Sequence, residues 1–158
     1  SMDFDSYLHG GDQEQKKRAG TENLPAIVGM VAALKEDLEK QEEHFQHVQN
    51  LETAFLAELE GFQYYLNRGD HHLPYVLNIG FPGQKNDLLL LRLDLAGISI
   101  STGSACTAGI VQSSHVLEAM YGANSERLKE SVRISLSPQN TVEDLQTLAK
   151  TLKEIIGG

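Results

Sequence analysis

The 158-residue chain has a single cysteine, Cys106. One thiol excludes an intrachain disulfide framework and any zinc site assembled from several cysteines, and a free thiol fits a reducing cytosol. Basic residues are scarce beside acidic ones. Thirteen Lys and Arg against 22 Asp and Glu leave a net charge of −9, which argues against nucleic acid or an anionic membrane as partner. No apolar run approaches the roughly 20 residues that a membrane helix needs. No signal peptide is visible in the sequence, Ser1-Met2 reads as a remnant of cloning with the natural start expected to lie elsewhere, and the sequence shows no internal repeat or low-complexity tract. What remains is a chain of globular composition, long enough to bury a core.

The lone cysteine sits in an unusual stretch. Ser101-Thr102-Gly103-Ser104-Ala105-Cys106-Thr107-Ala108-Gly109 holds nothing large or charged. Small residues leave room around a thiol and leave backbone N–H groups open to an anion. A lone cysteine is ordinarily a small buried hydrophobe, but that role belongs to apolar strands and helices, and this one lies in a polar segment bounded by glycines. The segment is expected to be a loop between ordered elements, where reactive groups concentrate.

Ahead of it, residues 3–23 lack hydrophobic periodicity and carry Gly10-Gly11, Gly20 and the basic run Lys16-Lys17-Arg18. They read as an extended loop that either packs on something else or stays disordered. Leu24-Pro25 opens a helix. Apolar residues then recur at helical spacing over about ten turns to Leu59, and Gly61 ends the run. A helix of that length is expected to bridge two domains. His44 and His47 fall at i, i+3, but with no third ligand in view a solvated face is the expectation. Residues 62–73, with His71-His72, read as a polar connection. Tyr75 to Phe81 reads as a strand, Asp87 to Leu95 as a buried helix, and Ile98 to Ser101 as a short strand delivering the cysteine segment. Ser113 or Ser114 caps a helix through Tyr121, and Ser125 caps another. Val132 to Ser137 alternates as a strand. Thr141 caps a last helix striped by Leu145, Leu148, Leu152 and Ile155. Three strands covered by helices make a small α+β layer.

Three motifs resemble the cysteine desulfurases, the pyridoxal-phosphate (PLP) enzymes that take sulfur from L-cysteine: Ser101-x-Gly103-Ser104-Ala105-Cys106, Gly10-Gly11-x-Gln13-Glu14-x-x-x-Arg18-x-Gly20-Thr21-x-Asn23, and Ser131-Val132-Arg133-Ile134-Ser135-Leu136. They come in the family's order and roughly its spacing. The long segment after Cys106 is similar to the NifS/IscS-like branch of the class V aminotransferase family. Asp12 departs from the pattern, standing where a third glycine is common, and weakens the expectation of close phosphate approach at that position.

The resemblance implies the C-terminal part of a fold-type I PLP enzyme. Residues 1–23 would be the end of the large PLP domain, 24–61 the bridging helix and 62–158 the small α+β domain. The PLP-anchoring lysine would lie upstream of Ser1, so the chain alone is expected to be inactive. Cys106 would be the nucleophile that receives sulfur as a persulfide. Arg133 would clamp the substrate's α-carboxylate with its two-pronged guanidinium, in contrast to an exposed strand arginine. Thr21 would hold the cofactor phosphate across a homodimer interface. The implied partners are L-cysteine and a sulfur-acceptor protein, in iron–sulfur cluster or thio-cofactor synthesis, and the implied location is the cytoplasm. Two other readings remain: a related PLP enzyme such as a selenocysteine lyase or an aminotransferase, and a standalone sulfur-carrying or dimerising module.

Overall fold

The computed structural model describes residues 5–103 and 114–157. The chain divides into two compact units, Ser1–Gln41 and Glu42–Gly158. Helix α1, Leu24–Glu58, begins in the first and ends in the second. It has 35 residues. Asn23 caps its start, its Oδ1 accepting from the Ala26 N–H at 3.2 Å. Past its end the chain turns at Gly61, whose φ of 85° is the left-handed geometry that glycine tolerates.

In the first unit, Leu8 and Arg18 form an isolated parallel bridge, and Gln13–Lys16 makes a short 3-10 turn. Leu24, Ile27, Val28, Val31, Leu34 and Leu38 on the opening turns of α1 are exposed.

The second unit holds the core. Strands β1 (Tyr65–Leu66), β2 (Val76–Gly80) and β3 (Ser131–Ser135) form an antiparallel sheet in that order. Helices α2 (Asn86–Leu95), α3 (His115–Tyr121) and α4 (Arg127–Glu130) lie between β2 and β3 in sequence, and α5 (Val142–Gly157) closes the fold. Leu77 and Ile79 of β2 pair with Ile134 and Val132 of β3, and all four are buried. They pack in one cluster with Val48, Leu51, Phe55 and Leu59 of the α1 run, Leu89 and Leu93 of α2, and Leu145, Leu148, Ala149 and Leu152 of α5. Period-two alternation sends the intervening residues to the other face. That face carries Asn78, Gly80, Ser131 and Arg133.

The expected α+β class therefore holds, with local corrections. The connection 62–73 contains a strand, since Tyr65 and Leu66 pair with Gly80 and Ile79. Ile98 to Ser101 makes no strand of its own, only a single antiparallel bridge between Ser101 and Arg133. Helix α2 is buried on one side only: Leu88, Leu91 and Leu95 are exposed. The last helix begins as expected. Thr141 Oγ1 accepts from the Asp144 N–H at 3.2 Å, and Asp144 Oδ2 accepts from the Thr141 N–H at 2.9 Å, a reciprocal capping pair. His47 does not look to solvent; its Nε2 lies 2.9 Å from the Asn140 carbonyl oxygen. Among the described residues no helix is long and apolar enough to cross a membrane, and no group of three or more His, Cys, Asp or Glu is placed to hold a metal ion.

Candidate functional site

Arg133 is the middle residue of β3. Strand alternation turns its side chain away from the core, opposite Asn78. On the side of β3 away from β2, the chain that leads to the cysteine segment lies against it. The Arg133 N–H donates to the Ser101 carbonyl at 2.6 Å, and the Ser101 N–H donates to the Arg133 carbonyl at 3.1 Å. The side chains repeat the pairing: Arg133 Nε donates to Ser101 Oγ at 3.0 Å, and Arg133 Nη1 reaches the Gly103 carbonyl at 3.4 Å. Ser101 Oγ in turn lies 3.3 Å from the Arg133 carbonyl. Arg133 is half-buried and has no carboxylate partner among the described residues.

This arrangement has a chemical consequence. A half-buried guanidinium fixed through Nε and one Nη has its orientation set but its charge unanswered. The remaining donors suit a carboxylate arriving from outside. Ser101 was not among the expected site residues. The signal was present in its position five residues before Cys106, at the end of a run that alternates Ile98, Ser99, Ile100, Ser101. The pairing with Arg133, 32 positions away, is visible only once the chain is folded.

Cys106 itself lies outside the described residues. The structure fixes the chain that enters its segment, at Ser101 to Gly103, and the chain that leaves it, at Ser114. There Ser114 Oγ accepts from the Leu117 N–H at 3.3 Å and caps α3.

Thr21 belongs to the first unit. It is exposed, and neither its hydroxyl nor its N–H is bonded to another described residue. Gly20 beside it has a φ of 106°, which a side chain would strain. Arg18 curls over the same turn, Nη1 donating to the Gly20 carbonyl at 2.7 Å and Nη2 pairing with the Glu22 carboxylate. Arg18, Thr21 and Glu22, with Asn23, Ala26, Ile27 and Met30, line a cavity of about 430 Å³. The hydroxyl and N–H of Thr21 are donors of the kind a phosphate takes, while the Arg18 guanidinium is held by Glu22, whose carboxylate faces the same cavity. Asp12, the departure from the glycine pattern, carries its charge toward Lys16, 3.9 Å from its ammonium.

A second polar cluster on the sheet was not expected at all. Arg127 of α4 holds its guanidinium carbon 4.2 Å from the Tyr65 ring centroid and 4.4 Å from that of Tyr121. Its Nη1 donates to Asn67 Oδ1 at 2.8 Å. Asn67, buried, donates from Nδ2 to both Asn78 Oδ1 and Ser131 Oγ at 2.8 Å. The Tyr65 hydroxyl donates to Glu130 Oε2 at 3.0 Å. Burial, with the Glu130 carboxylate adding to it, pushes that hydroxyl up from 10.0 to about 12. No sequence signal marks this cluster, because its members are scattered from position 65 to 131.

Residues 2–148 match the family described as aminotransferase class-V. A Bacillus subtilis (strain 168) protein, provisionally named cysteine desulfurase IscS 1, is 46% identical over 153 residues, covering 94% of this chain and 40% of the relative. The cysteine desulfurase IscS of Dictyoglomus turgidum is 36% identical over 152 residues, covering 94% of this chain and 38% of its own length. Among solved structures, a NifS-like protein from Rickettsia africae superposes with a TM-score of 0.79 at 29% identity, covering 99% of this chain and 41% of that one. The chain thus spans about two-fifths of the length of the relatives it matches.

Proposed function

The chain belongs to the aminotransferase class-V family, and we propose that it serves as the C-terminal part of a PLP-dependent cysteine desulfurase. In this proposal the whole protein is a cytoplasmic homodimer that converts L-cysteine to L-alanine and passes the sulfur to an acceptor protein. Residues 1–23 complete the large domain, α1 bridges, and residues 62–158 carry the cysteine segment. The observation that carries the reading is the pairing of Arg133 with Ser101 and Gly103, which sets a guanidinium without a carboxylate partner among the described residues beside the chain leading to the only thiol.

Each residue then has a task. Arg133, oriented through Nε by Ser101, receives the substrate α-carboxylate on its remaining donors and so fixes which way the amino acid lies. Thr21 and the Gly20–Thr21 backbone would hold the cofactor phosphate, with the Arg18 guanidinium near it; in the proposed dimer they serve the partner subunit's cofactor. When bound, PLP supplies an electron sink for the substrate's α-carbon. Cys106, as thiolate, takes the substrate's sulfur: an S–S bond forms, the substrate's C–S bond breaks with its electron pair left on carbon, a proton replaces the sulfur there, and alanine departs. Thiolate rather than thiol is the reactive form, so the segment must favour the anion.

The test uses a polypeptide that joins this chain to the upstream region the relatives contain. Release of alanine from L-cysteine is expected. Arg133→Lys keeps the charge but loses the two-pronged geometry, and KM for cysteine should rise roughly 10–100-fold. Unchanged KM and kcat in that variant would remove Arg133 from the site, and no alanine from the parent protein would remove the reading.

A further inference from the structure

The segment that carries Cys106 is entered at Gly103 and left at Ser114. Arg133 accounts for the first end. The second end continues directly into α3, a helix of seven residues whose last member is Tyr121. Gly122, at a φ of 86°, then turns the chain toward α4, and Ser125 Oγ accepts from the Arg127 N–H at 3.4 Å. So short a helix, with only Leu117 buried, has little of its own to hold it against the sheet.

Arg127 supplies what is missing. Its guanidinium rests against Tyr121 at the end of α3 and against Tyr65 of β1, while Nη1 bonds to Asn67. The platform beneath is built to receive it. Tyr65 lies across Gly80, where even a Cβ would stand 2.2 Å from the ring, and the Tyr65 hydroxyl is tied to Glu130. Asn67 is held by Asn78 and Ser131. Among the described residues Arg127 has no carboxylate partner, so its charge answers to two ring faces and one amide oxygen. A planar guanidinium can lie on rings and direct an N–H at the same time; an ammonium cannot do both with this geometry.

We propose that Arg127 is a positioning residue, which fixes the downstream end of the Cys106 segment by joining Tyr121 of α3 to Tyr65 and Asn67 of the sheet. The segment is then anchored at both ends by an arginine of the same sheet region, Arg133 before it and Arg127 after it. The anchoring stands on the geometry alone; its effect on sulfur transfer rests on the desulfurase reading. If α3 and α4 detach, the nearest fixed point downstream of Cys106 moves from Ser114 to Ser131, 17 positions further along the chain.

Two measurements decide this. In the 158-residue chain, amide hydrogen exchange across α3 should speed up at least tenfold in Arg127→Gln and in Tyr121→Leu. Arg127→Lys should fall between these and the parent, and Tyr121→Phe should match the parent. In the longer protein, single-turnover arrival of sulfur on Cys106 should slow at least about twofold in Arg127→Gln and Tyr121→Leu, with KM for cysteine unchanged, because Arg133 is untouched. Should Arg127→Gln fail to fold, Tyr121→Leu, which removes only the ring at the end of α3, carries the decision. Unchanged α3 exchange in folded Tyr121→Leu overturns the anchoring. Faster exchange with unchanged sulfur arrival overturns the positioning role. A parent protein that never gains sulfur overturns the desulfurase reading and the positioning role with it, and the exchange data still judge the anchor.

Discussion

Replacing Gly80 with alanine should be among the most damaging single-methyl additions to this fold. Gly80 faces Tyr65 across β1 and β2, and a Cβ there would sit 2.2 Å from one ring carbon and 2.3 Å from the next. Ordinary contact begins near 3.4 Å, so the ring must retreat by about 1.2 Å. It has little freedom to do so, because its hydroxyl is bonded to Glu130 and its face meets Arg127. Overpacking of this kind costs about 1–3 kcal/mol. A weakened hydrogen bond and cation–π contact add about 1 kcal/mol, and relief of glycine's backbone entropy returns about 0.5–1 kcal/mol. The net is about 1–3.5 kcal/mol, a fall in Tm of roughly 2–14 °C for a chain of this size. Urea or thermal unfolding of Gly80→Ala, Tyr65→Ala and the double variant closes a cycle. Without the ring there is nothing to collide with, so Gly80→Ala in the Tyr65→Ala background should cost less than about 0.5 kcal/mol. An equal cost in both backgrounds would refute the reasoning.

Other outcomes follow from the same structure. Glu52 is nearly buried and pairs with the Arg68 guanidinium, while His72 Nε2 stands 3.8 Å away. Arg68→Ala should destabilise by about 2–3 kcal/mol in denaturant titration, below the usual range for a broken buried pair because Arg68 is partly open to water. Tyr65 holds its proton up to about pH 12 when folded and to about 10 when unfolded. Its contribution to stability is therefore complete below pH 10 and is lost as pH climbs toward 12; Tyr65→Phe should flatten that alkaline decline in Tm. Thr141→Ala removes one half of the α5 capping pair and should cost about 1 kcal/mol by the same titration. Ser101→Ala deprives Arg133 Nε of its acceptor and should raise KM for cysteine several-fold in the longer protein while leaving Tm within about 2 °C.

The readable parts of the fold were those where one local pattern decides the outcome. Helix α5 announces itself through Thr141, Asp144 and a leucine every three or four residues, and β3 through strict alternation. Strand β1 is only two residues long and sits among polar neighbours, so its existence depends on β2 being there to pair with. Ile98 to Ser101 had the alternation of a strand, yet only Ser101 bridges to β3. Alternation tells which way side chains point but not whether a neighbour is in register. The sequence of α2 reads as a buried helix because a run of four leucines, Leu88 to Leu91, hides its own periodicity; one side of the helix meets the core and the other does not. The candidate site divides in the same way. Cys106, Arg133 and Thr21 stood within contiguous motifs. Ser101 as the partner of Arg133, and Tyr65, Asn67, Tyr121 and Arg127 as one cluster, are products of chain crossings that no local window contains.

The central claim is that Cys106 receives sulfur from cysteine, and mass spectrometry of the longer protein after incubation with L-cysteine tests it most directly. The account predicts a gain of about 32 Da on the peptide holding Cys106, reversed by reductant. In Cys106→Ser the gain should vanish, and alanine release with it, because a hydroxyl attacks sulfur poorly. No sulfur on Cys106 while alanine is released at the parent rate, or full turnover in the serine variant, would contradict it.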